Sequence, residues 1–198
     1  MPATILQPPV EGGLPPRKRF TRAEVEQMLN AGLFAGQRFE LIDGNLIDKM
    51  GQNPPHASGI QLVFSRLVKT LRPERIRVQL PIEVGATDRE SSWPEPDVAV
   101  LAEDKPDYRR RHPRGDELVL VVEVADTTVQ HDATTKRDLY ARAGVREYWV
   151  LDIGGRQLMV HRGPAHGRYE RVQVLTEHDT AALEAHPDVS VPVSEILP

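Results

Sequence analysis

The chain has 198 residues, 39% of them hydrophobic, no cysteine and a formal charge of −4. That length suits one well-cored domain, and the missing thiols exclude disulfides, thiolate catalysis and sulfur-ligated zinc. The acidic balance gives no global signature of nucleic-acid or anionic-membrane binding, so an anionic partner would have to meet a local basic patch.

Residues 1–19 hold Pro2, Pro8, Pro9, Pro15 and Pro16 beside a Gly pair. Proline fixes φ and removes backbone donors, so a flexible arm is expected there, followed by a single domain over 20–198. Neither the N-terminus nor any later run has the apolar core of a signal peptide or the roughly 18 residues of a membrane span, and the chain reads as cytoplasmic, with no membrane partner. "TRAE" puts Thr21 three residues before Glu24, the capping-box spacing, and predicts a helix to about Asn30. "RFELIDGNLIDKM" predicts a hairpin turning at Asp43-Gly44-Asn45. From Pro55, apolar positions at helical spacing predict about four turns ended by Pro73, with His56 at their start.

Strand-like runs follow in "RIRVQLPIEVG", "PDVAVL", "LVLVVEVA", "EYWVLD", "QLMVHR" and "RYERVQVL", and "DIGGRQ" reads as a hairpin turn. "LVLVVEV" is apolar without alternation, which predicts a central strand covered on both faces. A helix predicted over 132–143, closed by Gly144, leads directly into "EYWVLD", the layout of a crossover between parallel strands. The expected fold class is α/β, with an antiparallel portion from the hairpins.

Glu123 breaks that central strand. A buried carboxylate without a partner costs several kcal/mol, so it must be protonated, paired or bound to a cation. Asp97 opens another apolar strand, and two neighbouring strands would bring both acids together as a hard-oxygen site of the kind magnesium accepts. Lys136 lies on the returning helix, with Asp132 and Tyr140 spaced four residues to either side and therefore on its face. It could position or deprotonate a water, or meet charge on a phosphate. The plainer alternatives are an ion pair on a solvated helix with Tyr140 half-buried, and a structural arginine partner for Glu123.

The order "FELIDGNLI", "PPH", "PDVAVL", "VVEVADTT", then Asp132 and Lys136 four apart, then "YARAGVREYWVLD", resembles the Uma-two family of putative restriction endonucleases, in the PD-(D/E)-x-K nuclease superfamily. The resemblance runs from about Phe20 to the final "VPVSEIL". It implies a restriction-endonuclease-like core, a central mixed β-sheet flanked by helices with the active site at one sheet edge. It makes Asp97 the acid of "PD" and Glu123 the second acid. Where the superfamily's lysine usually stands, two residues later, this chain has Ala125, and the lysine role moves to Lys136. By the same resemblance Glu40 could complete the metal site, Asp132 and Tyr140 orient Lys136, and His56 matches a family histidine of less defined role. Asp126 stands where the family often has serine; it could add a ligand or cap the next turn.

These features make the leading expectation a magnesium-dependent endonuclease, with manganese as a possible substitute, acting on double-stranded DNA as a homodimer whose two-fold axis would serve both strands. A non-catalytic nuclease-fold module binding nucleic acid or protein is the alternative, and hydrolysis of another phosphoester a third. Arg109, Arg110, Arg111 and Arg114, or Arg72, Arg75 and Arg77, are candidate phosphate contacts, equally readable as solvated loop and turn. The remaining histidines show no metal-ligand spacing, and Trp93 and Trp149 read as core rather than stacking platforms.

Overall fold

Thr21 opens the first helix as its spacing predicts. Its side chain accepts the Glu24 N–H, Glu24 reaches back to the Thr21 N–H, and α1 runs Arg22–Asn30. The computed structural model describes residues 17–49, 53–102 and 108–198, so the arm expected over 1–19 lies, apart from its last three residues, outside the described residues. The hairpin follows as β1 (Phe39–Ile42) and β2 (Asn45–Asp48). Asp43 and Gly44 both take positive φ, 46° and 74°, the backbone of a two-residue turn whose twist matches that of the strands it joins.

Six strands form the central sheet in the order β3 (Ile76–Val78), β4 (Val98–Leu101), β5 (Leu118–Ala125), β6 (Glu147–Asp152), β7 (Gln157–Ala165) and β8 (Arg168–Thr176). Only β5 and β6 pair in parallel; the other neighbours are antiparallel, so the sheet is mixed. The predicted crossover joins the parallel pair. It begins earlier than expected, with an α-helical turn at Val129–His131, a π-helical stretch at Asp132–Lys136 and α-helix from Arg137–Arg142.

Every residue of β5 is buried, as its unbroken apolar run requires. Leu120, Val122 and Val124 pack on one face against α2 (Pro54–Leu67) and the hairpin of β9 (Thr180–Leu183) and β10 (His186–Pro192). Val121 and Ala125 face the other way, with Tyr140 and Tyr148 of the crossover unit. Side chains alternate along a strand, so Glu123 points to that second face, beneath the crossover helix. Gly59 lets α2 lie close on β5, because a Cβ there would stand 2.8 Å from Val124 Cγ1.

Three other elements differ from the sequence expectation. The helix α2 ends at Leu67, before Pro73, which opens a 3₁₀ turn (Pro73–Arg75) instead of stopping a helix. The run "RIRVQLPIEVG" is a strand only over its first part, because Gln79 adopts φ 51° and Pro81, lacking an N–H, cannot continue a ladder. The β9–β10 hairpin has no counterpart among the predicted elements. Its strand β9 is only four residues long, and its apolar side chains are fixed by docking on the sheet.

Candidate active site

The β4–β5 register brings the two acids together. Val98 lies opposite Val122, and continuing that antiparallel ladder sets Asp97 across from Glu123. Both side chains are 3% exposed. The hairpin delivers Glu40 from β1, and the crossover helix delivers Asp132, Lys136 and Tyr140. Four residues slightly overshoot one α-helical turn and fall slightly short of the wider π turn, so the two stretches offset each other and the three side chains stay on one buried face. The solvated-helix alternative is therefore excluded: Asp132 and Lys136 are 3% exposed and Tyr140 is 0%.

Lys136 Nζ is 2.7 Å from Glu40 Oε1, 3.0 Å from Glu123 Oε1 and 3.8 Å from Asp132 Oδ1. An ammonium has three N–H donors, and here it faces three carboxylates. Tyr140 OH donates to the same Glu123 oxygen at 2.6 Å. Glu40 Oε2 accepts the Glu95 N–H, Asp132 Oδ2 accepts from Thr128 Oγ1, and Tyr148 OH donates to the Asp132 carbonyl. Glu123's partner is thus Lys136, not an arginine.

Asp97 uses both oxygens. Oδ2 accepts the Val124 N–H at 2.9 Å and meets His56 Nε2 at 3.2 Å, while Oδ1 faces Gln79 Nε2 at 3.4 Å and Lys49 Nζ at 3.6 Å. Asn53 caps α2 by accepting the His56 N–H, and its amide donates to Asp126 Oδ2. Asp126 and Asn53 thereby join the loop after β5 to the start of α2.

These neighbours split the two acids electrostatically. Burial would raise the Asp97 carboxyl, but the His56 hydrogen bond and the charges of Lys49 and Lys136 hold it below the usual carboxylate range. Burial pushes Glu123 up to about 8; Lys136 opposes that rise while Asp97 and Glu40 add to it. Burial would lower Lys136, yet Glu123, Glu40, Asp132 and Asp97 together raise it well above its ordinary value and keep it charged.

The cluster opens on a cleft of about 230 Å³ lined by Glu40, Lys49, His56, Asp97, Glu123, Asp126, His131, Asp132 and Lys136, among others. Among the described residues no three His, Cys, Asp or Glu side chains are arranged to hold a metal ion by themselves. Two facing carboxylates nevertheless suit a magnesium ion that keeps several waters and takes further oxygens from a phosphate substrate. Glu123, kept from ionising by its surroundings, is an acid that a cation would ionise.

The expected arginines are not part of this cluster. Arg111 pairs with Glu117 and Arg114 with Asp116, in the loop that leads into Leu118, the end of β5 remote from Glu123. Arg109 and Arg110 lie exposed in the same loop. Arg75 is buried, donating to the Leu101 carbonyl and meeting His186. Conversely, Lys49, Gln79 and His131 line or touch the site without having been singled out. Lys49 sits just past β2 and across from Arg38, two residues before Glu40 on the paired strand, so the hairpin register alone puts it on the Glu40 face but does not place it beside Asp97.

A family model described as "Putative restriction endonuclease", Uma2, matches residues 22–194. The chain belongs to the Uma2 family. The acids and Lys136 all fall within the matched segment. The fold is similar to that of a putative nuclease belonging to DUF820 from Anabaena variabilis, with a TM-score of 0.65 at 15% identity, covering 85% of this chain and 96% of the other. No curated protein matches this Uma2 chain. Among its described residues, no helix is long and apolar enough to cross a membrane.

Proposed function

We propose that this Uma2 protein is a magnesium-dependent endonuclease that hydrolyses phosphodiester bonds in double-stranded DNA. Family membership supports a nuclease acting on nucleic acid; the observation that carries the finer reading is that Asp97 and Glu123 line one cleft together, with a charged lysine beside them. Asp97 and Glu123, aided by Glu40, would hold the ion. Bound there, magnesium, or manganese in its place, would polarise a phosphate and lower the pKa of a bound water.

The chain's own groups do the rest. Lys136 keeps Glu123 and Glu40 in place and offsets negative charge near the reacting phosphate. Tyr140 and Asp132 orient Lys136, directly or through Glu123. His56 fixes the Asp97 carboxylate, whose depressed pKa keeps it ionised. Cutting both strands of a duplex suits a homodimer with two clefts related by a two-fold axis.

A non-catalytic module is the second reading, and one observation favours it: protein cations already face the carboxylates that would hold the ion. Supercoiled plasmid, single-stranded DNA and a simple aryl phosphodiester, incubated side by side with magnesium or EDTA, separate these cases. The proposal expects magnesium-dependent nicking or linearisation of the plasmid. Cleavage of the small ester alone would point to another phosphoesterase, and no cleavage of any of the three would leave the binding module.

A further inference from the structure

Lys49 stands where the proposed chemistry has no use for a fixed lysine. Its Nζ donates to the Glu95 carbonyl and lies 3.6 Å from Asp97 Oδ1, beyond hydrogen-bond length but within ion-pair reach. The side chain is 10% exposed and lines the cleft, whereas Lys136 is 4% exposed and already faces three carboxylates. The two lysines therefore differ in freedom. Asp97 Oδ2 is held by the Val124 N–H and His56 at 2.9 and 3.2 Å, whereas Oδ1 has only the long contacts from Gln79 Nε2 at 3.4 Å and Lys49 Nζ at 3.6 Å, so Oδ1 is the oxygen more open to a cation, and Lys49 is the charge already beside it.

We propose that Lys49 is the resident counter-cation of Asp97, occupying the cleft side of that carboxylate until a divalent ion displaces it. The inference rests on the magnesium reading above. Two cations cannot share Asp97 Oδ1 without strong repulsion in a partly buried site. Displacement does not expel Lys49: its four-carbon stem is flexible, and its ammonium can stay in the cleft as a partner for a phosphate oxygen. Lys49 would thus tune ion affinity in the empty protein and gain an anionic partner when substrate and ion arrive together.

Calorimetric titration of wild type, Lys49→Met and Asp97→Ala with manganese at neutral pH tests this without any DNA. Removing the competing charge should tighten manganese binding by at least about tenfold in Lys49→Met, while Asp97→Ala loses it. Equal affinity in wild type and Lys49→Met, with binding lost in Asp97→Ala, would overturn the role of Lys49 and leave the metal reading standing. Absence of binding in both would remove the metal reading and this inference with it.

A second measurement uses only the wild-type chain. Acetylation of lysine amines, read by peptide mass spectrometry, should accelerate at Lys49 when manganese is added, relative to Lys69, whose side chain is 63% exposed. Unchanged Lys49 labelling at a manganese concentration that saturates binding overturns the displacement even if the Lys49→Met protein does not fold.

Discussion

The two ends of β5 each carry acids and bases, yet they use them oppositely. At the Leu118 end, Arg114 meets Asp116 in solvent, and a partly exposed Arg111 covers the buried Glu117. At the Glu123 end, Lys136 is enclosed with Glu40, Glu123 and Asp132. Exposed pairs gain little because water and salt already stabilise the separated charges. Enclosed pairs are costly to assemble and costlier to break, since whatever remains stays buried without a partner. The exposed Arg114–Asp116 pair, in the stretch that looks most basic in sequence, is thus where charge matters least to the fold.

The largest effect that sharpens this contrast is expected from Lys136→Met. It leaves Glu40 and Asp132 buried beside Glu123 without their cation, and about 3–5 kcal/mol of stability should be lost, measured by urea denaturation. A loss near zero would mean that the cluster relaxes by taking up protons.

The next effect is one of pH, in metal-free buffer. The folded chain holds the Glu123 proton up to about 8, while the unfolded chain releases it near 4.5. Across that interval the folded state binds more protons, so this residue makes stability fall as pH rises from about 4.5 to about 8. Asp97 has the opposite sign: its depressed value adds stability above its ordinary 3.8 that is lost as pH falls through the folded value. Glu123→Gln should therefore remove the decline towards pH 8 and leave the acid limb unchanged. A decline of the same size in the variant would assign it to other groups.

The smallest effect belongs to the other end. In Arg114→Ala the urea midpoint should stay close to that of wild type, because its side chain is 58% exposed and that of its partner Asp116 is 60% exposed. A large drop would erase the distinction between the two ends.

Much of this is legible in the sequence alone. An acid inside an unbroken apolar run, a second acid opening another strand and a lysine on the returning helix are each local patterns, and the crossover rule ties the first to the third. The parallel β5–β6 pair follows from the same rule. The less legible parts depend on contacts between distant segments. Gln79 reaches Asp97 because its strand breaks at a left-handed residue, which a β-rich run ending near a proline does not announce. The β9–β10 hairpin takes its inward face from the sheet it covers, and a four-residue strand carries too little periodicity to reveal that. Lys49 needed the hairpin to be docked against the segment that leads into β4, through Leu41–Trp93 and Glu95, before its charge could be read against Asp97. The π-helical stretch has no sequence signal that we can name, although it keeps Asp132, Lys136 and Tyr140 on one face.

The most direct test of the central claim is magnesium-dependent cleavage of supercoiled plasmid by wild type and Asp97→Asn, with folding of both checked by circular dichroism. The account predicts conversion to nicked or linear DNA by wild type, abolished by EDTA and lost in Asp97→Asn although the variant is folded. Cleavage by Asp97→Asn at the wild-type rate would contradict it, because the acid that anchors the site would then have no part in the reaction.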